Sequence, residues 1–199
     1  MRRRPIIYKI SEGRLTASNF FDQLPGFLNR ATVAAKAGAT DIQIREKLLP
    51  ARLMSELTCR TVESLRGTGV RLFVNDRPDI AASAGADGVH LTARSLPVST
   101  VKANFSGLLI GVSTHSVDEL LAARCAGADF AVFGPIFDTP GKAPSVGLDA
   151  LRAARAAVDG LPIVGLGGID RSNIEDVLAA ADGIAGIRLF NDPAFDFRT

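Results

Sequence analysis

The stretch Ala84-Gly85-Ala86-Asp87-Gly88-Val89-His90-Leu91 joins the end of an Ala-rich segment with helical spacing to a short apolar run. A glycine directly after helically spaced residues marks a helix C-terminus, and an apolar run that follows it reads as a buried strand. The phrase or a near copy recurs at Ala37-Gly38-Ala39-Thr40, Ala126-Gly127-Ala128-Asp129 and Ala179-Ala180-Ala181-Asp182. Each copy leads into its own run: Ile42-Gln43-Ile44, Phe130-Ala131-Val132-Phe133 and Gly183-Ile184-Ala185-Gly186-Ile187. First positions of successive copies lie 47, 42 and 53 residues apart, about twice the ~20–25 residues of one βα unit in a compact barrel. A further strand is therefore expected inside each interval. Arg71-Leu72-Phe73-Val74, Leu108-Leu109-Ile110-Gly111-Val112 and Pro162-Ile163-Val164-Gly165-Leu166 supply them, and Ile6-Ile7-Tyr8-Lys9-Ile10 precedes the first copy.

Eight near-continuous apolar strands alternating with helices give a parallel sheet covered on its outer face, and the repetition favours closure over an open doubly wound sheet. The expected fold is α/β, a single (β/α)8 TIM barrel occupying residues 1–199. Its last helix is shortened, because residues 191–199 contain Pro193, and an edge left there is expected to be covered by a second copy in a homodimer. With 47% hydrophobic against 22% charged residues, the chain can bury such a core. A net charge of +2 with scattered Arg and Lys does not build a nucleic-acid-binding face. No uncharged run reaches the ~18–20 residues of a membrane helix, and no apolar stretch follows Arg2-Arg3-Arg4 to make a signal peptide. A soluble cytoplasmic protein is the expectation. Cys59 and Cys125 fall in helical segments without metal-ligand spacing and read as structural thiols.

In such barrels the active site lies at the C-terminal ends of the strands. The residues there are polar: Gln43, Arg45, Glu46 and Lys47 after strand two, Asn75 and Asp76 after strand three, Ser113, Thr114 and His115 after strand five. Arg45 and Lys47, two apart on a strand, would leave the same face into the barrel mouth. Two cations there call for an anionic ligand, or for a salt bridge to Glu46 or Asp76. Asp76 is the candidate metal ligand. Gly167-Gly168-Ile169 before a helix starting near Ser172 offers backbone N–H groups to a phosphate, or simply permits a tight turn. Arg188 would contact that phosphate or plug the pocket. The breaker-rich stretch 134–147 reads as a lid carrying Lys142, or as a plain surface loop. His90, within an apolar run, reads as a satisfied core residue, and His115 as a proton carrier or a structural group.

Taken together, these segments resemble the thiamine phosphate synthase family and its sister group, the TenI-type thiazole tautomerases. The match runs through Gln43-Ile44-Arg45-Glu46-Lys47, Asn75-Asp76-Arg77, Gly85 to Leu91, Ile110 to Ser116, Phe133 to Pro140 and Gly167-Gly168-Ile169. The resemblance implies that a synthase joins a pyrimidine diphosphate to thiazole phosphate, with loss of diphosphate and help from Mg2+. Carried over by position, Gln43, Arg45, Lys47, Asn75, Ser113, Thr139 and Lys142 would contact the diphosphate and pyrimidine. Asp76 would hold Mg2+, and Val164, Leu166 and Gly168 would surround the thiazole phosphate.

Three positions depart from the synthase pattern. Ser95 stands where the synthases carry a second, metal-binding aspartate; Gly141 replaces a lid threonine; Arg188 replaces a serine at the thiazole phosphate. The tautomerases also lack that aspartate, and His115 occupies the position of their catalytic histidine. The departures favour a thiazole tautomerase, with Lys142 assisting His115 and no cofactor required. The synthase, with Mg2+, is the alternative, and a non-catalytic sensor of a small phosphorylated ligand is a third reading.

Overall fold

A computed structural model describes residues 4–138, 144–191 and 196–197. Eight parallel strands follow one another around a closed barrel: β1 (Ile6–Ile10), β2 (Asp41–Ile44), β3 (Arg71–Asn75), β4 (Gly88–Leu91), β5 (Leu109–Thr114), β6 (Phe130–Phe133), β7 (Ile163–Leu166) and β8 (Gly183–Gly186). Seven helices lie between them: α1 (Phe20–Lys36), α2 (Ala51–Ser64), α3 (Pro78–Ala84), α4 (Val98–Asn104), α5 (Val117–Ala126), α6 (Gly147–Ala157) and α7 (Ile174–Ala180). The expected strands all form, with ends shifted by one or two residues.

The repeated phrase does two jobs at the foot of the barrel. Gly85 and Gly127 end α3 and α5 in the left-handed conformation, at φ 75° and 88°, which a residue with a Cβ adopts at a cost. The last residue of each phrase then exchanges hydrogen bonds with the start of a neighbouring strand. Asp87 N donates to Leu72 O at 2.9 Å, and the Asp87 carboxylate accepts from Leu72 N at 2.7 Å. Asp129 does the same with Ile110, Asp182 with Ile163, and Thr40, through its hydroxyl oxygen, with Ile7. A strand-initiating N–H with no ladder partner is thus satisfied four times by one device.

Side chains alternate across the wall. Tyr8, Ile10, Phe73, Phe130, Val132, Val164 and Ala185 fill the lumen, while Ile7, Ile42, Leu72, Val89, Ile110 and Ile184 pack outward against the helices. Tyr8, Phe73 and Phe130 meet edge to face at 5.3–5.7 Å between centroids. Their bulk is accommodated by Gly88 and Gly111 on the facing strands: a Cβ at Gly88 would stand 2.4 Å from the Phe73 ring, and one at Gly111 2.4 Å from the Phe130 ring.

Beyond β8 the described residues hold only a 3-10 turn, Leu189–Asn191. Closure through β1 leaves no sheet edge there, which removes the reason for expecting a second copy to cover one. Phe197 returns to α1, its N–H donating to Ala37 O at 2.8 Å, and its ring lies 6.2 Å from that of Phe190. Cys59 and Cys125 are free thiols on the exposed sides of α2 and α5, not core residues. Among the described residues no helix is long and apolar enough to cross a membrane.

Asp129→Ala should lower unfolding stability by ~1–3 kcal/mol, because it strands the Ile110 N–H. Asp129→Asn, which keeps an acceptor, should retain most of it. Urea titration followed by circular dichroism measures both, and equal stabilities would show that the bridge contributes nothing.

Candidate active site

The uppermost inward-facing residues of the strands divide the barrel mouth in two. On β2 to β5 they are Gln43, Asn75, His90 and Ser113; on β1, β6, β7 and β8 with its extension they are Ile10, Val132, Leu166 and Ile187. One side is a polar arc and the other an apolar wall.

The polar arc is wired by hydrogen bonds. Gln43 Nε2 donates to Asn75 Oδ1 at 3.1 Å, and Asn75 Nδ2 donates to Asp76 Oδ2 at 2.6 Å. Ser95 Oγ donates to the other Asp76 oxygen, Oδ1, and itself accepts from Thr92 N at 2.6 Å. The residue in place of the second aspartate is therefore in contact with the first. Asp76 has φ 59°, a left-handed conformation that aspartate tolerates better than most residues, and its N–H donates to His90 O at 3.0 Å. The backbone outlier and both carboxylate contacts hold this group in one orientation.

A second chain runs up the lumen. Tyr8 Oη lies 3.1 Å from His90 Nδ1, and His90 Nε2 lies 2.9 Å from Ser113 Oγ. Burial lowers the His90 pKa from 6.5 to about 4, with Asp76 pulling the other way and Arg45 adding to the fall. The ring is thus neutral at physiological pH, with one donor and one acceptor, and two hydroxyls that serve either role satisfy both. Burial, reinforced by Asp41, likewise raises the Tyr8 phenol well above its ordinary value. This agrees with the reading of His90 as a satisfied core residue. Tyr8, its anchor, was not singled out from the sequence, although a lone tyrosine inside a strand needs a partner for its hydroxyl.

The cationic side of the site differs from expectation. β2 ends at Ile44, so Arg45 and Lys47 lie on the following turn, not on a strand: Arg45 is half-buried and Lys47 exposed. Neither forms a salt bridge among the described residues. Glu46, offered as their partner, is buried and instead accepts from Gly13 N at 3.0 Å and Leu15 N at 2.8 Å, pinning the loop after β1. Thr139 and Lys142 lie outside the described residues.

At the end of β7, Gly167 and Gly168 have φ 107° and 63°. A Cβ on either would stand 2.6 Å from Pro135 or Phe137, so the pair permits close contact with the loop after β6. Phe137 N donates to Gly167 O at 3.0 Å across that contact. α7 starts at Ile174, two residues later than expected, and the N–H groups of Ser172, Asn173 and Ile174 are taken by Asp170. The N–H groups of Gly168 and Ile169 in this turn donate to no described residue, so an anion here depends on the loop, not on the helix. Arg188 is exposed and does not plug the space. Val164 is fully buried among lumen residues, beneath half-buried Leu166.

His115 is exposed on the turn after β5, and its Nδ1 lies 2.5 Å from Gly134 O. A carbonyl only accepts, so Nδ1 carries the proton and donates, which leaves Nε2 as the acceptor of the neutral ring. No hydrogen bond links His115 to the polar arc. Among the described residues no three His, Cys, Asp or Glu side chains cluster as a metal cage. Asp76 alone fits an ion that arrives with most of its ligands on a phosphorylated substrate, as Mg2+ often does.

The fold and its strand ends thus define a closed (β/α)8 barrel with a polar, carboxylate-bearing arc facing an apolar wall beside a Gly-Gly turn. The family model for thiamine monophosphate synthase matches residues 17–190, and the chain belongs to that family. The thiamine-phosphate synthase of Chloroflexus aurantiacus is 43% identical over 166 residues, 80% of this chain and 76% of the relative. That of Methanoculleus marisnigri is 44% identical over 162 residues, 79% of this chain and 76% of the relative. The thiamine phosphate pyrophosphorylase structure from Pyrococcus furiosus superposes with a TM-score of 0.81 at 34% identity, covering 94% of this chain and 87% of that one. These similarities favour the synthase over the tautomerase that the sequence departures pointed to.

Because His90 stays neutral in the fold, the unfolded chain binds more protons as pH falls from 6.5 toward about 4. Stability should fall across that window by up to roughly 3 kcal/mol through this group alone. His90→Gln should flatten that part of the pH–stability curve, as read by urea midpoints at pH 7, 6 and 5. Parallel curves for the two proteins would show that His90 titrates normally.

Proposed function

We propose that this protein is a thiamine-phosphate synthase, joining a pyrimidine diphosphate to thiazole phosphate and releasing diphosphate. The observation that carries the reading is the Gln43–Asn75–Asp76 chain: an oriented carboxylate with two amides, facing an apolar wall. Relatives of 43–44% identity named for the same activity support it.

In this reading, the pyrimidine and its diphosphate lie along the polar arc. The apolar wall of Ile10, Val132, Leu166 and Ile187 receives the thiazole ring, and its phosphate meets the N–H groups of Gly168 and Ile169 with Arg188 nearby. Val164 supports Leu166 from below. As the bond to diphosphate breaks, its electron pair stays on the departing oxygen, and the growing negative charge needs cations. Arg45 and Lys47 on the turn after β2 would supply them, with Thr139 and Lys142, outside the described residues, as further contacts. Ser113, held by His90, offers a hydroxyl from the arc. Asp76 would hold Mg2+, which would add to the neutralisation of the diphosphate. Ser95 keeps Asp76 oriented but brings no charge of its own, so the ion is bound weakly until substrate arrives. His115 holds the loop after β6 through Gly134.

The test incubates the purified chain with the pyrimidine diphosphate, thiazole phosphate and Mg2+, and follows thiamine phosphate. Product should form, and Arg45→Ala or Asp76→Asn should slow it by ~10²–10³-fold. His115→Ala should retain most of the rate. If the chain instead isomerises the thiazole without coupling it, and His115→Ala abolishes that, the tautomerase reading replaces this one. Ligand-induced stabilisation with no turnover of either kind would identify a sensor.

Metal affinity gives an independent check. Calorimetric titration with Mg2+ in the absence of substrate should give weak binding for the wild type and at least ~10-fold tighter binding for Ser95→Asp, which adds a second carboxylate. Tight binding by the wild type would overturn the role given to Ser95.

A further inference from the structure

Lys9 lies on β1 between Tyr8 and Ile10, which both face the lumen, so its side chain leaves the barrel on the outer side. There it lines a cavity of about 70 Å3 together with Ser11, Glu12, Arg14, Gln23 and Arg30, between the end of β1 and α1. The residue is only 5% exposed. Among the described residues its ammonium donates no hydrogen bond and meets no carboxylate within ion-pair distance; it lies over the Phe190 ring, 5.3 Å from the centroid. Arg30, on the opposite wall, also has no carboxylate partner among the described residues.

The acidic groups that line this cavity are committed elsewhere. Glu12 is paired with Arg14 Nε at 3.0 Å and accepts from Asn191 Nδ2 at 2.9 Å. Both oxygens of Glu46 are taken by the Gly13 and Leu15 N–H groups. Two cations, one of them almost fully buried, therefore share a cavity with no carboxylate of the described residues in ion-pair contact with either, an arrangement that a bound anion relieves. Ser11 adds a donor: its Oγ accepts from Arg45 N at 2.8 Å, which leaves its O–H free to point into the cavity. The volume is far below the ~300–1,000 Å3 of a site for a whole organic ligand, and is about that of two or three waters. It admits one oxyanion group.

We infer that this cavity is a second anion site, separate from the barrel mouth, which holds a single oxyanion of the phosphate class between Lys9 and Arg30. Burial lowers the Lys9 amine from 10.5 to about 8, against the pull of Glu12 and with the help of Arg30. A bound anion favours the protonated amine, so affinity falls as pH rises through about 8. The other charged groups facing Lys9 across the cavity are Arg14 and Glu46.

Sulfate is a suitable probe because its charge does not change across this range. Calorimetric titration of the whole chain with sodium sulfate, and a crystal grown with it, should place one ion between Lys9 and Arg30. Lys9→Met and Arg30→Gln should each weaken this binding about tenfold or more while folding normally by circular dichroism. Wild-type affinity should drop between pH 7 and pH 9, and inorganic phosphate should compete. The proposal is overturned if both variants bind sulfate as the wild type does, if affinity is independent of pH, or if sulfate occupies only the Gly168 turn. Thiamine phosphate formation is a separate measurement, so neither result decides the other.

Discussion

At the foot of each odd-numbered strand of this barrel one N–H points past the start of the next strand, where the ladder offers no partner and a lost hydrogen bond is costly. In this chain an oxygen-bearing side chain at one place in a repeat meets that constraint: the Asp or Thr closing each Ala-Gly-Ala-Asp phrase or near copy accepts from Ile7, Leu72, Ile110 or Ile163. The same residue donates its own N–H back to the same partner. Each two-bond bridge locks the register of two neighbouring strands, and the register decides which side chains face the lumen. Everything at the opposite end of the strands inherits that choice.

At that end, the alternation that buries Tyr8, Phe73 and Phe130 one layer down brings Gln43, Asn75, His90 and Ser113 to the top on adjacent strands. Adjacent polar residues can satisfy one another, and they do, through Gln43–Asn75–Asp76 and His90–Ser113. The arc is therefore preorganised by bonds within itself, which lowers the cost of holding polar groups against an apolar lumen. Burial keeps His90 uncharged, and Arg45 and Lys47 lie on the turn after β2.

Ser95 shows how a departure from a family pattern changes the chemistry without changing the geometry. It contacts Asp76 and is held by Thr92, so the carboxylate keeps its orientation while the site loses a charge. The sequence comparison alone reads the missing aspartate as a step toward tautomerase chemistry. The relatives named thiamine-phosphate synthase favour the other reading.

The number and order of the strands, the closure of the barrel and the placing of Gln43, Asn75, Asp76 and Ser113 at the strand ends were legible in the sequence. They follow from local periodicity and from the rule that active sites sit at the strand ends. His90 was legible as a core residue for the same reason. The positions of Arg45 and Lys47 were not, because the end of β2 depends on where β1 and β3 stop pairing with it. The Gly167-Gly168 turn could be recognised as special, but its packing against Pro135 and Phe137 depends on a loop more than thirty positions earlier in the chain. Glu46 illustrates the limit most directly: beside two cations in sequence, it reads as their partner. Only the tertiary structure turns its carboxylate to the N–H groups of Gly13 and Leu15, because a buried carboxylate goes to the nearest unsatisfied donors, whichever part of the chain carries them.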